Sequence, residues 1–148
     1  MARSTNTRFA VAVHVLTLLA GVNDGRVVSS EELADSAGVN PVHVRRVLGP
    51  LREAGLVRSH AGARGGWELA CRPEGISLGT VWRLLQGDDH VLGLHGPNPS
   101  CVTGEGVQRA LTVLDAAIAD ALVAQLERFS VRDVLDGKIT AQFAQAAR

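Results

Sequence analysis

Residues 29–59 read SSEELADSAGVNPVHVRRVLGPLREAGLVRS, and this stretch decides the fold. Ser29 opens a capping box at the start of a short helix that ends at Gly38. Asn40 followed by Pro41 is typical of the N-cap and first position of a second helix, because proline lacks the N–H that this position leaves unpaired. The stretch therefore predicts two helices joined by a short turn that contains glycine.

The second helix is predicted to have an apolar face and a basic face. Val44, Val47, Leu48 and Leu51 follow the spacing i, i+3, i+4, i+7 of one buried stripe. Val42, His43 and Arg46 lie opposite this stripe, with Arg45 and Arg52 on the flank. A helix of this kind behind a short first helix is typical of a helix-turn-helix that inserts into the DNA major groove. An ordinary helical hairpin with a solvated basic face is the alternative.

Two short alternating runs follow the second helix. Residues 56–60 and 67–70 flank the glycine-rich stretch 61–66, which predicts a β-hairpin with Arg64 at its tip beside Gly65. A hairpin directly after a recognition helix is the wing of a winged helix, whose tip arginine commonly meets the DNA backbone or minor groove. We therefore expect Arg58 and Arg64 to serve the wing in DNA binding.

The charge of the chain is balanced overall but unevenly distributed. The 148 residues are 46% hydrophobic and carry no formal net charge, which indicates one globular domain and excludes a globally basic DNA binder. Residues 39–72, however, contain six arginines and two acids, a local charge of +4 that the rest of the chain cancels. This segment predicts a local DNA-binding face.

The remaining pattern is helical. Residues 7–20 form a nearly all-apolar helix, Ser77 caps a helix up to Gly87, and residues 88–104 form a polar loop. A long helix is predicted over residues 105–129, followed by a short helix capped by Ser130 and an Ala/Gln tail without a predicted element. The long helix carries a near-heptad seam of Val107, Leu111, Leu114, Ile118, Ala121, Gln125 and Phe129. The seam favours a partner helix, with an intramolecular core helix as the alternative.

Several function classes find no support in the sequence. No GxSxG, HExxH or phosphate-loop motif is present, so we do not expect an enzyme. Two cysteines without a CxxC pair are typical of a reducing compartment, and the apolar stretch 9–20 is too short to cross a membrane. We therefore expect a cytoplasmic protein. Cys71 is expected to pack as a small apolar residue in the second wing strand.

The sequence also resembles the Rrf2 family of bacterial transcription regulators over nearly its whole length. The matching pieces are STNTRFAVAV (residues 4–13), residues 29–59 as quoted above, GARGGWELA (residues 62–70) and ISLGTVWRLLQG (residues 76–87). The resemblance implies a homodimer joined through the long helix 105–129, with each winged helix in a major groove of an inverted repeat. It favours a repressor on a palindromic operator in double-stranded DNA.

These observations define the expected organisation. The fold is mainly α, with a winged helix-turn-helix DNA-binding domain over residues 1–87, a sensor-type loop over 88–104, and a dimerisation helix and tail over 105–148. The expected DNA-binding residues are Ser29, Ser30, Asn40, Pro41, His43, Arg45, Arg46, Arg52, Arg58, Arg64 and Gly65.

Many members of the Rrf2 family hold an iron–sulfur cluster on three cysteines of the loop before the long helix. Here only Cys101 is present, and Asp89 and His95 stand at the two matching positions. Because thiolates are the usual anchors of such clusters, we expect no iron–sulfur cluster and no other cofactor. A single metal on Asp89, His95 and Cys101, a redox role for Cys101, and a winged helix that binds an acidic protein are the alternatives.

Overall fold

The computed structural model describes residues 6–146. Its elements are α1 (Asn6–Gly21), α2 (Ser30–Ala37), α3 (Pro41–Glu53), β1 (Val57–His60), β2 (Gly66–Leu69), a 3-10 turn (Pro73–Gly75), α4 (Leu78–Gln86), α5 (Val102–Leu126), α6 (Val131–Leu135) and α7 (Lys138–Ala146). Within these residues β1 and β2 form the only sheet. The expected mainly helical fold, with a two-stranded wing and a long C-terminal helix, is confirmed.

Helix α1 lies at the centre of the core. Ala12, Val15 and Leu16 are fully buried, and α1 contacts α2, α3, α4, α6 and β2. Because neighbours surround it, α1 is apolar on nearly every side rather than along one stripe. Truncating a buried leucine of this kind typically lowers the free energy of unfolding by about 2–5 kcal/mol, so α1 contributes strongly to the stability of the core.

Helices α2 and α3 form the predicted helix-turn-helix. The Ser29 hydroxyl accepts a hydrogen bond from the Glu32 backbone N–H at 3.1 Å, which confirms Ser29 as the N-cap. The capping box is only half formed, because the Glu32 carboxylate accepts two hydrogen bonds from Arg26 at 2.9 and 3.0 Å instead of returning to Ser29. Gly38 adopts φ 66°, a left-handed conformation that ends α2 and turns the chain toward α3.

The wing is attached to the core through its second strand. Val28 and Trp67 exchange two backbone hydrogen bonds of 2.9 and 2.8 Å, so residue 28 extends the hairpin by one bridge. A Cβ placed on Gly66 would lie 2.5 Å from the Val28 carbonyl oxygen, so this crossing requires glycine. The wing is therefore held against the body of the domain rather than projecting freely from it.

Helix α5 spans Val102–Leu126 rather than the expected residues 105–129. Cys101, the residue before the helix, is its N-cap, and the Cys101 Sγ accepts a hydrogen bond from the Gly104 N–H at 3.3 Å. A cysteine is an unusual cap, so the first turn was not recognisable from the usual Ser, Thr, Asp or Asn signal. Helix α6 follows with the predicted Ser130 cap, and its Val131 is fully buried against the amino-terminal core.

The Ala/Gln tail is not irregular: residues Lys138–Ala146 form α7. Ile139 packs against the core, and the Phe143 ring lies 6.0 Å from the Phe129 ring between centroids. These two apolar residues are four positions apart and share one helix face. The expectation of a tail without an element was therefore wrong, because two anchors suffice to hold an alanine-rich helix in place.

Candidate nucleic-acid interface

The outer surface of α3 is organised around one line of side chains. Val44, Val47, Leu48 and Leu51 are all fully buried, which confirms the predicted stripe. Val42 and Arg46 lie one turn apart on the opposite side, and both are exposed. Among the described residues Arg46 forms no ion pair, so its guanidinium is available to an external acceptor. These two residues mark the centre of the solvent face of α3.

The other two arginines of α3 are engaged with neighbouring elements. Arg45 contacts the Glu31 carboxylate of α2 at 3.2 Å. The Arg52 guanidinium lies 5.9 Å from the centre of the Trp67 ring and donates to the Ser59 hydroxyl at 3.4 Å. The two residues are seven positions apart and share one flank of α3, where Arg45 connects the helix to α2 and Arg52 connects it to the wing.

The N-terminus of α3 carries the remaining candidate residues of this helix. Asn40 is the N-cap, and its Oδ1 accepts a hydrogen bond from the His43 backbone N–H at 2.8 Å. Pro41 occupies the first turn and is half-buried, whereas Asn40 is exposed. The Oδ1 atom of Asn40 is therefore used as the helix cap, and its Nδ2 group can donate hydrogen bonds to another partner.

Ser29 and Ser30 have different roles although they are adjacent. Ser29 is the half-buried N-cap of α2, whereas Ser30 is only 8% exposed and its hydroxyl accepts a hydrogen bond from Trp67 Nε1 at 3.0 Å. The Ser30 side chain is thus part of the protein interior. The Ser30 hydroxyl is therefore not free to contact DNA, and a DNA contact through its backbone N–H at the start of α2 stays a prediction.

The wing presents its arginines in two different settings. Arg64 is exposed in the turn between β1 and β2, and no ion pair of Arg64 occurs within residues 6–146. Its neighbour Gly65 donates its N–H to the Gly62 carbonyl at 2.9 Å, and a Cβ on Gly65 would meet the His60 carbonyl at 2.1 Å. The tip therefore has a fixed, tight backbone with one free guanidinium.

Arg58 points to the other face of the hairpin. Arg58 pairs with Glu68 across the strands, and the Glu68 carboxylate contacts Arg58 at 3.1 Å and His60 at 3.0 Å. The hydrogen bond from His60 is the main reason that the pKa of Glu68 is lowered. Since Val57 and Trp67 face the core, alternation places Arg58, His60 and Glu68 on the opposite face, away from α3.

A polar groove separates the wing from α2. It has a volume of about 380 Å³, and it is lined by the wing turn, by Ser29 and Glu31 of the α2 start, and by Arg45 of α3. Ser59 and His60 also line it, and neither was singled out from the sequence. The run of three polar residues after Val57 could have identified them, since every residue after Val57 in this strand is exposed.

The loop between α4 and α5 is fastened to α5 by one buried carboxylate. Asp115 is 5% exposed, and its two oxygens accept hydrogen bonds from His90 Nδ1 at 2.8 Å and from the Leu92 N–H at 2.6 Å. The Leu92 hydrogen bond, followed by that from His90, lowers the pKa of Asp115. Asp115 is the buried residue of an otherwise exposed or half-exposed helix, and sequence reasoning missed it because its partners lie in the loop.

The loop does not assemble the metal site considered from the sequence. No group of three or more His, Cys, Asp or Glu side chains suited to a metal ion occurs in the part of the chain that the structure describes. Asp89, His95 and Cys101 are each exposed and are not brought together. Cys71 is also exposed and follows β2, so the expectation that it packs within the second wing strand was wrong.

Helix α5 leaves much of its apolar surface uncovered. Leu114 is 50% exposed and Val107 43% exposed, while Leu111 and Ile118 of the same seam are half-buried. Within the chain α5 packs mainly on α4. None of the helices between residues 6 and 146 has the length and hydropathy needed to cross a bilayer.

Comparison with known proteins places this geometry in a family. Residues 5–137 match the Rrf2 family model, described as an iron-dependent transcriptional regulator. The chain is 36% identical over 132 residues to a protein described as the HTH-type transcriptional regulator YwnA of Bacillus subtilis, covering 88% of this chain and 96% of the relative. It is 31% identical over 132 residues to the HTH-type transcriptional repressor NsrR of Streptomyces coelicolor, covering 87% of this chain and 86% of the relative.

The fold is also found in solved structures. A crystal structure of a protein described as a transcriptional regulator from Lactobacillus plantarum superposes with a TM-score of 0.78 at 25% identity, covering 95% of this chain and 98% of the other. The shared helix-turn-helix, the wing and the full-length family match lead to one assignment. The chain belongs to the Rrf2 family of HTH-type, DNA-binding transcriptional regulators.

Proposed function

We propose that this regulator binds a palindromic operator as a homodimer and represses transcription, with α3 reading bases and the wing tip contacting the DNA backbone. The observation that carries this division is the contrast between the arginines. Arg46 and Arg64 are exposed and free of ion pairs among the described residues, whereas Arg45 and Arg58 are paired with Glu31 and Glu68. The free guanidinium groups are the ones placed at the centre of α3 and at the wing tip.

The homodimer is supported by the uncovered face of α5. Val107 and Leu114 lie on the near-heptad seam and remain 43% and 50% exposed. A second copy would cover this face by an isologous contact, the most common symmetry of homo-oligomers. Such a dimer carries two recognition helices, which matches a palindromic operator with half-sites about one DNA turn apart. Repression rests on the name of the Streptomyces coelicolor relative.

Iron is implied by the family description, and the side chains of this chain do not fit it. The chain has two cysteines, Cys71 after the wing and Cys101 at the start of α5, and the described residues hold no cluster of three ligands. Iron–sulfur clusters are held by several thiolates, which this loop does not supply. We therefore propose that the protein binds DNA without a cofactor. A redox role for Cys101 stays a prediction.

The division of labour between Arg46 and Arg64 is tested with two single variants. Selection from random duplex DNA, at a stated salt concentration, first supplies the operator. Arg46→Ala should then weaken operator binding by about 1–3 kcal/mol and leave non-specific binding nearly unchanged, because it removes a base contact. Arg64→Ala should weaken all sequences alike and reduce the salt slope by about one, because it removes a phosphate contact.

Two outcomes would contradict the proposal. Equal losses on operator and random DNA for both variants would show that neither arginine reads bases. A selection that enriches no sequence would favour the alternative winged helix that binds an acidic protein. Arg72→Ala is a matched control, since this exposed arginine follows β2 and pairs with Glu74, so its loss should change operator affinity little.

A further inference from the structure

Val42 is an apolar side chain in the middle of a polar, basic surface. It is 51% exposed at the second position of α3. The other large apolar side chains with comparable exposure within residues 6–146 lie on α5, α6 and α7, far along the chain from the helix-turn-helix. Folding of the domain therefore gives no reason for an apolar residue at this position.

The position of Val42 relative to Arg46 restricts what could cover it. The two residues are four positions apart, so they lie on one line of the helix surface about 6 Å apart along the axis. This line is opposite the buried stripe, and Val42 is at its N-terminal end. In a helix-turn-helix, the N-terminal residues of the recognition helix reach base edges in the major groove. Val42 is thus continuous with the interface that Arg46 defines.

One apolar group is available on base edges in the major groove. Thymine carries a C5-methyl group there, and none of the other three standard bases presents a methyl group in that groove. The branched Val42 side chain can bury such a methyl group, whereas it can neither donate nor accept a hydrogen bond. Because about 6 Å is the length of about two base-pair steps of B-DNA, Val42 and Arg46 would reach bases within about two base pairs of each other.

We propose that Val42 is a specificity-determining residue that contacts the C5-methyl group of a thymine in each operator half-site, within about two base pairs of the base that Arg46 reads. This proposal rests on the proposed function, since it requires α3 to enter the major groove. Burial of one methyl group is worth about fourfold in affinity. Val42 therefore adds a modest preference to each half-site.

Deoxyuridine substitution tests the contact directly, because deoxyuridine differs from thymidine only by the missing methyl group. Each thymine of the selected operator is replaced in turn, at both symmetric positions, and dissociation constants are measured. The wild type should bind about fourfold more weakly per half-site at one position. With Val42→Ala the ratio between thymine and deoxyuridine should fall to about one at that position and stay unchanged at the others.

The controls separate this contact from folding and from DNA binding in general. Val42→Ala introduces a better helix former at an exposed site, so its helix content and thermal unfolding should match the wild type. Val102→Ala removes the same side chain from an 83% exposed position on α5 and should keep the wild-type ratios.

Three results would overturn the proposal. The first is a wild type with no thymine more sensitive than about 1.5-fold to loss of its methyl group. The second is a Val42→Ala variant that retains the full effect. In both cases the operator is still bound, so the proposed function stands. The third is a selection that enriches no sequence, which overturns the proposed function together with this inference.

Discussion

The hydrogen bond from Trp67 Nε1 to the Ser30 hydroxyl joins the wing to the first helix of the helix-turn-helix. Both residues are buried, with Trp67 at 6% and Ser30 at 8% exposure. A buried donor without an acceptor is costly, so each residue requires the other. This pair fixes the wing relative to α2 and, through Arg52 on the Trp67 ring, relative to α3.

Removing one partner of this pair should destabilise the protein. Ser30→Ala leaves Trp67 Nε1 without its acceptor and should lower the free energy of unfolding by about 1–3 kcal/mol. Urea unfolding measures this change. The double variant Ser30→Ala with Trp67→Phe removes the donor as well, and it should be less destabilised than the sum of the two single variants. Strict additivity would show that the hydrogen bond contributes nothing.

Adjacent or similar residues could not be assigned their roles from spacing alone. The sequence predicted the Ser29 cap because the Ser29 hydroxyl and the Glu32 N–H that donates to it are only three residues apart. It did not predict the burial of Ser30, because Trp67 is 37 positions away. Likewise, six arginines in one segment predicted a basic face. The sequence did not predict that Glu31 pairs with Arg45 and Glu68 with Arg58, because these pairs form between different elements of the fold. Local caps are encoded locally, whereas pairings depend on how elements meet.

Among the elements, the wing depends on a close backbone crossing at Gly66. Gly66→Ala should displace β2, because its Cβ would lie 2.5 Å from the rigid Val28 carbonyl. We expect a loss of several kcal/mol in stability and of operator binding, measured by thermal unfolding and by titration with DNA. Gly106→Ala is the control, since a Cβ there meets nothing within 4 Å and alanine should stabilise α5 by about 0.5–1 kcal/mol. A stable, fully active Gly66→Ala would contradict the crossing.

The loop before α5 should detach from the helix in acid. Because the folded state lowers the pKa of Asp115, its carboxylate contributes stability above the unfolded pKa of about 3.9. That contribution is lost as the pH falls through the lower folded value. Asp115→Asn should therefore increase amide exchange in residues 88–101 at neutral pH, and its difference from the wild type should shrink below about pH 4.

A matched variant completes this experiment. Asp120→Asn changes an exposed aspartate on the same helix and should alter exchange in the loop little at any pH. If Asp120→Asn and Asp115→Asn gave the same loop exchange, the contacts of Asp115 with His90 and Leu92 would not be what holds the loop.

Element boundaries show where periodicity was sufficient and where it was not. The stripe of α3 was predicted residue by residue, because four buried positions repeat at helical spacing. The start of α5 was missed because its cap is Cys101 rather than a usual capping residue. Helix α7 was missed because only two apolar residues, Ile139 and Phe143, hold it in place, too few to form a visible periodic pattern. Where the local sequence pattern is short or unusual, tertiary contacts decide whether the segment forms a helix.

For the whole molecule, we expect the affinity for operator DNA to depend on formation of the proposed dimer. The chain has no net charge, so long-range attraction to DNA is weak, and we expect the two linked winged helices of the proposed dimer to compensate. Leu114→Arg places a charge on the seam of α5 and should yield a monomer by analytical ultracentrifugation. Operator affinity should then fall by about 10²–10⁴-fold.

The neighbouring residue provides the control for this variant. Val113 is 73% exposed and lies off the seam, so Val113→Arg should remain dimeric and bind the operator like the wild type. A Leu114→Arg variant that stays dimeric would exclude this face of α5 as the interface.

The contact between α4 and α5 has a mechanical consequence. A Cβ on Gly79 would lie 2.3 Å from Glu127 Cγ, and Leu78 and Val131 form backbone hydrogen bonds of 2.9 and 3.0 Å with Phe129 and Ile76. The carboxyl end of α5 is thus held against the winged helix. The amino-terminal end of α5 lies about 37 Å away along the helix axis. Tilting α5 by about 10° would swing its far end by about 6 Å, nearly two base-pair steps. For the proposed dimer, the binding affinities of operators with altered half-site spacing would therefore report the angle between the two subunits.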